Sequence, residues 1–225
     1  MKRILISIMT TAMLAMSLVS PFMADVPKAY ADPADEVLSP RFEATGHYDI
    51  AAAGVGLNGE TSGVINLDVP GSVIQAYLYW AGQADSTIPD DFDDVSFAVG
   101  SDPAVAIVAD DHYGPEFWLE PDRQNFVFIE DVTSLIQSGD TDYTISGEGL
   151  NFTENYGVGL MVVYEDASLP TAVVKINDGL DSFHHDFPAP RGPDSEMTFF
   201  DLRPSADEKD ASVAVSYTHL TLPTN

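Results

Sequence analysis

The feature that most constrains this chain is a two-residue rhythm. From His47 to Leu202 nearly every apolar run is short, rich in β-branched or aromatic residues, and bounded by Gly, Pro, Asn or Asp. Ten such runs follow one another: HYDIAAAG, GVINLDV, VIQAYLYWAG, DVSFAVG, AVAIVAD, NFVFIED, DYTISG, GVGLMVVYED, TAVVKIND and EMTFFDL. A period of two sends alternate side chains to opposite faces of a sheet. No stretch keeps the i, i+3, i+4, i+7 pattern of a helix beyond about two turns. The one helical piece is DVTSLIQSG, where Asp131 or Thr133 caps a single turn carrying Leu135 and Ile136 before Gly139 stops it.

Many short strands with turn signals between them predict an all-β protein, an antiparallel β-sandwich of jelly-roll type with about ten strands. VIQAYLYWAG and GVGLMVVYED are the most apolar and are predicted at the sheet centres. In the first, alternation puts Ile74, Ala76, Leu78 and Trp80 on one face and Val73, Gln75, Tyr77 and Tyr79 on the other. Residues 45–214 are read as one domain, and residues 32–44 as an exposed lead-in.

The two ends read differently from the middle. Residues 1–31 have a basic start (Lys2, Arg3), an apolar run from Ile4 to Val19 and small residues at Ala29 and Ala31, which is the pattern of a signal peptide. Cleavage is expected after Ala31, with Ala24 as a second position, and the apolar run is short for a membrane span. The expected location is therefore secreted or at the cell surface. At the other end VSYTHLTLPTN, residues 215–225, carries no Asp, Glu, Lys or Arg and follows the charged run RPSADEKDA. It alternates like a strand, but it resembles the translation of a sequencing adapter and is expected to be non-native. On that reading the domain is truncated near Ala214, and an anchor or neighbouring domains of the full-length protein follow the break.

Charge narrows the partners. The net charge of −27 comes from 36 acidic and 9 basic residues. So negative a chain disfavours nucleic acid and anionic membrane. It leaves solubility, divalent cations or a basic partner. With no cysteine in the chain, disulfides, thiol catalysis and zinc–thiolate sites are excluded.

The acidic runs are the best site candidates. PDDFDDV places Asp90, Asp91, Asp93 and Asp94 together, and ADDHYGPE adds Asp110, Asp111 and Glu116. Calcium takes several carboxylate oxygens, so calcium is the candidate ion, with a solvated acidic surface as the alternative; no cofactor is required. Calcium binding predicts a melting temperature that differs between excess calcium and chelator. Tyr113, Phe117 and Trp118 in HYGPEFWLEPD are candidate ligand-binding aromatics for a glycan, unless they cover the end of the core. His184 and His185, between Asp181 and Asp186, form a candidate metal loop with His47 or His112, against a plain polar loop. GETSG has the order G-x-x-S-G rather than the G-x-S-x-G of an esterase elbow, and reads as a turn. NDGLD also reads as a turn. Lys175 in TAVVKIND suggests an isopeptide crosslink if it faces inward, but alternation turns it outward, opposite Val174 and Ile176.

Three phrases together, GVGLNGETSGVINLDVPGSVIQAYLYWAG, EDVTSLIQSGDTDYTISG and GVGLMVVYEDASLPTAVVKINDGLD, resemble a domain family of unknown function in bacterial and archaeal surface proteins. The resemblance covers Thr45 to Leu202. It implies a module of a large secreted or wall-attached protein, and it implies no activity. EDVTSLIQSG also resembles a turn in jelly-roll domains that accompany carbohydrate-active enzymes, a likeness of fold that does not fix function. The expectation is a non-catalytic extracellular module for structure, adhesion or binding of a glycan or protein surface ligand. The alternative is a carbohydrate-binding module or part of a carbohydrate-active enzyme.

Overall fold

The computed structural model describes residues 36–85, 89–117 and 123–181. They form eleven strands: β1 (Glu36–Gly46), β2 (Tyr48–Val55), β3 (Ser62–Val69), β4 (Ser72–Ala84), β5 (Asp94–Val99) and β6 (Val105–Val108), then β7 (Asp111–Phe117), β8 (Gln124–Asp131), β9 (Gly139–Ser146), β10 (Glu154–Glu165) and β11 (Ala172–Leu180). Among the described residues, helix is confined to three short 3-10 turns, at Pro89–Asp91, Thr133–Leu135 and Glu148–Leu150. None of it is long and apolar enough to cross a membrane.

The strands make a five-stranded sheet, β2-β10-β4-β8-β7, a four-stranded sheet, β3-β9-β5-β6, and a two-stranded ribbon, β1-β11. All pairings are antiparallel. Taken in chain order without β1, β7 and β11, the first sheet holds strands one, eight, three and six, and the second holds two, seven, four and five. That alternation between facing sheets is the jelly roll. The two strands predicted at sheet centres, β4 and β10, lie side by side inside the five-stranded sheet.

Between the sheets sits one core in which Trp80, Tyr143, Phe97, Phe126, Phe128 and Ile65 are fully buried. Burying each such side chain contributes ~1.5–3 kcal/mol. Trp80 stacks on Phe128 at 5.6 Å, and its indole N–H donates to the Phe92 carbonyl at 2.9 Å. The predicted single turn of DVTSLIQSG is the 3-10 turn Thr133–Leu135, and the Thr133 amide bonds Asp131 Oδ1 at 2.9 Å. The Thr133 hydroxyl in turn accepts the Ala76 amide at 2.8 Å, which fixes this turn to β4. GETSG begins in a tight turn at Leu57–Glu60, with Asn58 and Gly59 both at positive φ, and runs into β3 at Ser62.

Nine of the ten predicted strands fall on the described residues and all nine are strands; EMTFFDL lies outside them. Three details correct the sequence reading. Residues 36–44, read as a lead-in, belong to β1, which pairs with β11. NDGL, read as a turn, continues β11. Ile74 does not share a face with Ala76, because it is the extra residue of a bulge: Val163 pairs with Gln75, but Tyr164 pairs with Val73. The bulge turns Val73 into the main core and Ile74 to the opposite face.

That opposite face is where the ribbon lies. Val163, Val174 and Ile176 form a second buried cluster there, with Phe42, Ile50, Tyr77 and Met161 packed against it. The described residues therefore form three layers, with the ribbon packed on the outer face of the five-stranded sheet.

Candidate functional site

Two polar clusters sit on the outer face of the five-stranded sheet. The first joins the ribbon to it. Pro40 pairs with Asn177 and Phe42 with Ile176, so Arg41 is an extra residue in β1. A bulge re-aims such a side chain, and here Arg41 reaches the sheet. Its Nε donates to Asp178 Oδ2 at 2.7 Å, and its Nη2 donates to Asp111 Oδ2 at 2.9 Å and to the Tyr113 hydroxyl at 3.0 Å. Asp178 also accepts from the hydroxyls of Tyr113, at 2.7 Å, and Tyr79, at 3.0 Å.

Electrostatics follow from that geometry. Burial alone would lower the Arg41 pKa, but the bonds to Asp178 and Asp111 outweigh it and raise the pKa above the ordinary value. Burial, with the Asp178 charge beside it, pushes the Tyr79 phenol well up, and burial and the bond to Asp178 push Tyr113 up. Both phenols therefore stay protonated and act as donors. The cluster clamps the ribbon in place: one cation, two carboxylates and two phenols, contributed by β1, β11, β7 and β4.

The second cluster lies at the other end of the same face. Gln83 is almost fully buried, and its amide donates to Asn125 Oδ1 at 3.3 Å. The Tyr156 hydroxyl donates to the same oxygen at 3.0 Å, and Arg123 donates to Gln83 Oε1 at 3.2 Å. Arg123 also lies 3.6 Å from Asp85 and 3.7 Å from Glu154. Burial, followed by the Glu154 charge, pushes the Tyr156 phenol up.

The calcium candidates are distributed over one end of the sandwich. Asp90 and Asp91 are on the 3-10 turn, Asp93 follows it, Asp94 opens β5, Asp110 links β6 to β7, and Asp111 opens β7. Burial, then the charges of Asp90 and Asp94, push the Asp93 carboxyl up. Burial and the Asp110 charge do the same to Glu130. Asp111 is bonded to Arg41. Among the described residues no three His, Asp or Glu side chains come together in a group that could hold a metal ion.

Of the candidate aromatics, Tyr113 is buried under the ribbon, and its ring belongs to the clamp rather than to an exposed platform. Phe117 ends β7, and Trp118 lies outside the described residues. The histidine pair His184 and His185 also lies outside them. Of the histidines considered with it, His47 bonds the Leu169 carbonyl, and His112 stacks on Phe128 at 5.9 Å. Lys175 faces outward and pairs with Glu43 on the neighbouring strand at 3.2 Å. Val174 and Ile176 on its other side are buried, as alternation predicts.

Sequence reading missed Arg41 and Asp178, the centre of the clamp. The available signal was the scarcity of cations. Arg41, Arg123 and Lys175 are the basic Lys and Arg residues of the described segments, and each is committed to carboxylates. No family model matches the chain, and neither does any curated protein or solved structure.

Proposed function

We propose that this chain is a non-catalytic, extracellular jelly-roll module of a larger secreted or surface-attached protein, and that it works by binding a partner. The observation that carries the reading is how the polar groups are spent. Arg41, Asp178, Tyr79 and Tyr113 hold the ribbon, while Gln83, Asn125, Tyr156 and Arg123 hold one another. Among the described residues the outer face of the four-stranded sheet, by contrast, is exposed and acidic along β3 and β9, where Asp68, Asp140 and Asp142 stand beside Asn66. A buried, stabilised interior beneath an acidic surface suits a robust display domain that needs no disulfide. The signal-peptide pattern and the resemblance to surface-protein domains support the same reading.

The test is a glycan array and a panel of immobilised extracellular proteins, run beside polysaccharide hydrolysis assays. Binding without turnover is the expected result. Hydrolysis of any polysaccharide would replace this reading with that of a carbohydrate-active enzyme.

A further inference from the structure

The four-stranded sheet ends in β3 on one side and β6 on the other, and the far side of β6 pairs with no strand among the described residues. Its register with β5 shows which backbone groups that side presents. The Ala109 amide donates to the Asp93 carbonyl at 2.8 Å, and Val108, Ile107, Ala106 and Val105 then oppose Asp94, Val95, Ser96 and Phe97. Bonded and non-bonded pairs alternate along an antiparallel ladder. Ile107 and Val105 therefore share the phase of Ala109 and bond to β5. Ala106 and Val108 have the opposite phase, so their N–H and C=O groups point outward along the edge.

Among the described residues this edge also carries few guards. The five-stranded sheet ends in β2 and β7, and of these β7 contains Gly114, Pro115 and a bulge. β6 is only four residues long, which is one way of blunting an edge, but its sequence VAIV has no proline, glycine, charge or bulge, and Val105 and Val108 are 44% and 56% exposed. Proteins blunt their edges with such devices because an open ladder is a template for another strand. An edge left open and apolar suits strand addition.

Charge selects the incoming strand. Asp93, Asp94, Asp102 and Asp110 border β6, and Lys175, Arg41 and Arg123 are engaged elsewhere. A second copy, with the same net charge of −27, would be repelled. We propose that β6 takes an extended segment of another protein by strand addition, a segment with β-branched residues at alternate positions and Lys or Arg at its ends. The proposal deepens the binding-module reading, and rests on it only in that the domain acts by binding.

The probe is a fluorescein-labelled peptide, Lys-Lys-Thr-Val-Thr-Val-Thr-Lys-Lys, titrated with the protein and followed by anisotropy. Ala106→Pro removes one outward N–H without touching the ladder to β5, so the variant is expected to fold. Val108→Lys puts on the edge the residue that natural edges use as a guard. The expected result is binding to the unaltered protein, weakened about fivefold or more by either substitution, and weaker still for a peptide with Glu in place of each Lys. No binding, equal binding to all three proteins, or equal binding of the Glu peptide would overturn the proposal. Dimerisation of the unaltered protein that Ala106→Pro abolishes would put a second copy on the edge and overturn the choice of partner. Glycan binding without peptide binding would sink this inference and leave the binding module standing. Polysaccharide hydrolysis would sink the module's non-catalytic role, leaving the edge to be judged by the peptide alone.

Discussion

Arg41 and Asp178 stand 137 positions apart in the chain and meet at 2.7 Å, the one in the first strand and the other in the last of the described strands. Their side chains are only 20% and 10% exposed. Removing one member of a buried pair strands the other charge, so Arg41→Met should cost about 3 kcal/mol. Asp178→Asn should cost a similar amount, since it takes the carboxylate from two tyrosines as well. Urea denaturation measures both. The double variant should lose clearly less than the two single losses added together, and strict additivity would show that the ribbon is not held by this pair.

Lys175 and Glu43 form the contrasting pair on the same ribbon. The two cations are about equally covered, Lys175 being 23% exposed, but Glu43 is 47% exposed where Asp178 is 10%, and an ion pair with a solvated carboxylate is screened and contributes little. Lys175→Gln should therefore shift the unfolding free energy by less than ~1 kcal/mol. A large loss would mean that Lys175 does more than pair with Glu43.

Glu130 gives a pH dependence whose sign follows from its surroundings. Burial, and then the charge of Asp110, raise its folded pKa. A carboxyl raised in this way binds its proton more tightly in the folded state, so its stabilising effect is present below the unfolded pKa and lost as pH rises through the folded value. At neutral pH the ionised Glu130 is therefore a burden on the fold. Glu130→Gln, which stays neutral at every pH, should melt higher than the unaltered protein at pH 7. The gap should close as pH falls towards the carboxylate range. Melting curves from pH 7 down to about pH 4 test this; a gap that widens on acidification would contradict it.

How far the sequence carried the structure depends on what the alternation encodes. It is a statement about faces, and it located the strands of the jelly roll, the central pair β4 and β10, and the outward turn of Lys175. It fails wherever one extra residue changes the phase, as at Ile74 and Arg41. It also missed β1 and β7. The first contains Pro40 and charged residues that read as an exposed leader, and the second is broken by Gly114 and Pro115. The clamp was hidden for the same reason. Arg41 and Asp178 look like surface charges in short polar stretches, and only the pairing of β1 with β11 puts them together.

Gly149 and Gly100 separate lack of space from backbone strain. Gly149 is buried in the 3-10 turn Glu148–Leu150, and a Cβ there would lie 1.9 Å from the Asp94 carbonyl oxygen and 3.0 Å from that of Phe92. Backbone oxygens cannot rotate aside, so Gly149→Ala must push the turn away from the start of β5. The Phe92 carbonyl is also the acceptor of the Trp80 indole. The substitution should therefore cost about 3 kcal/mol and change the tryptophan fluorescence of the folded protein. Gly100 is the control: it sits at φ +54° with nothing within 4 Å of its would-be Cβ. There Gly100→Ala meets only the left-handed backbone penalty, about 1 kcal/mol, with the fluorescence unchanged. Equal losses at the two positions would show that the close approach of the turn to β5 does not hold in solution.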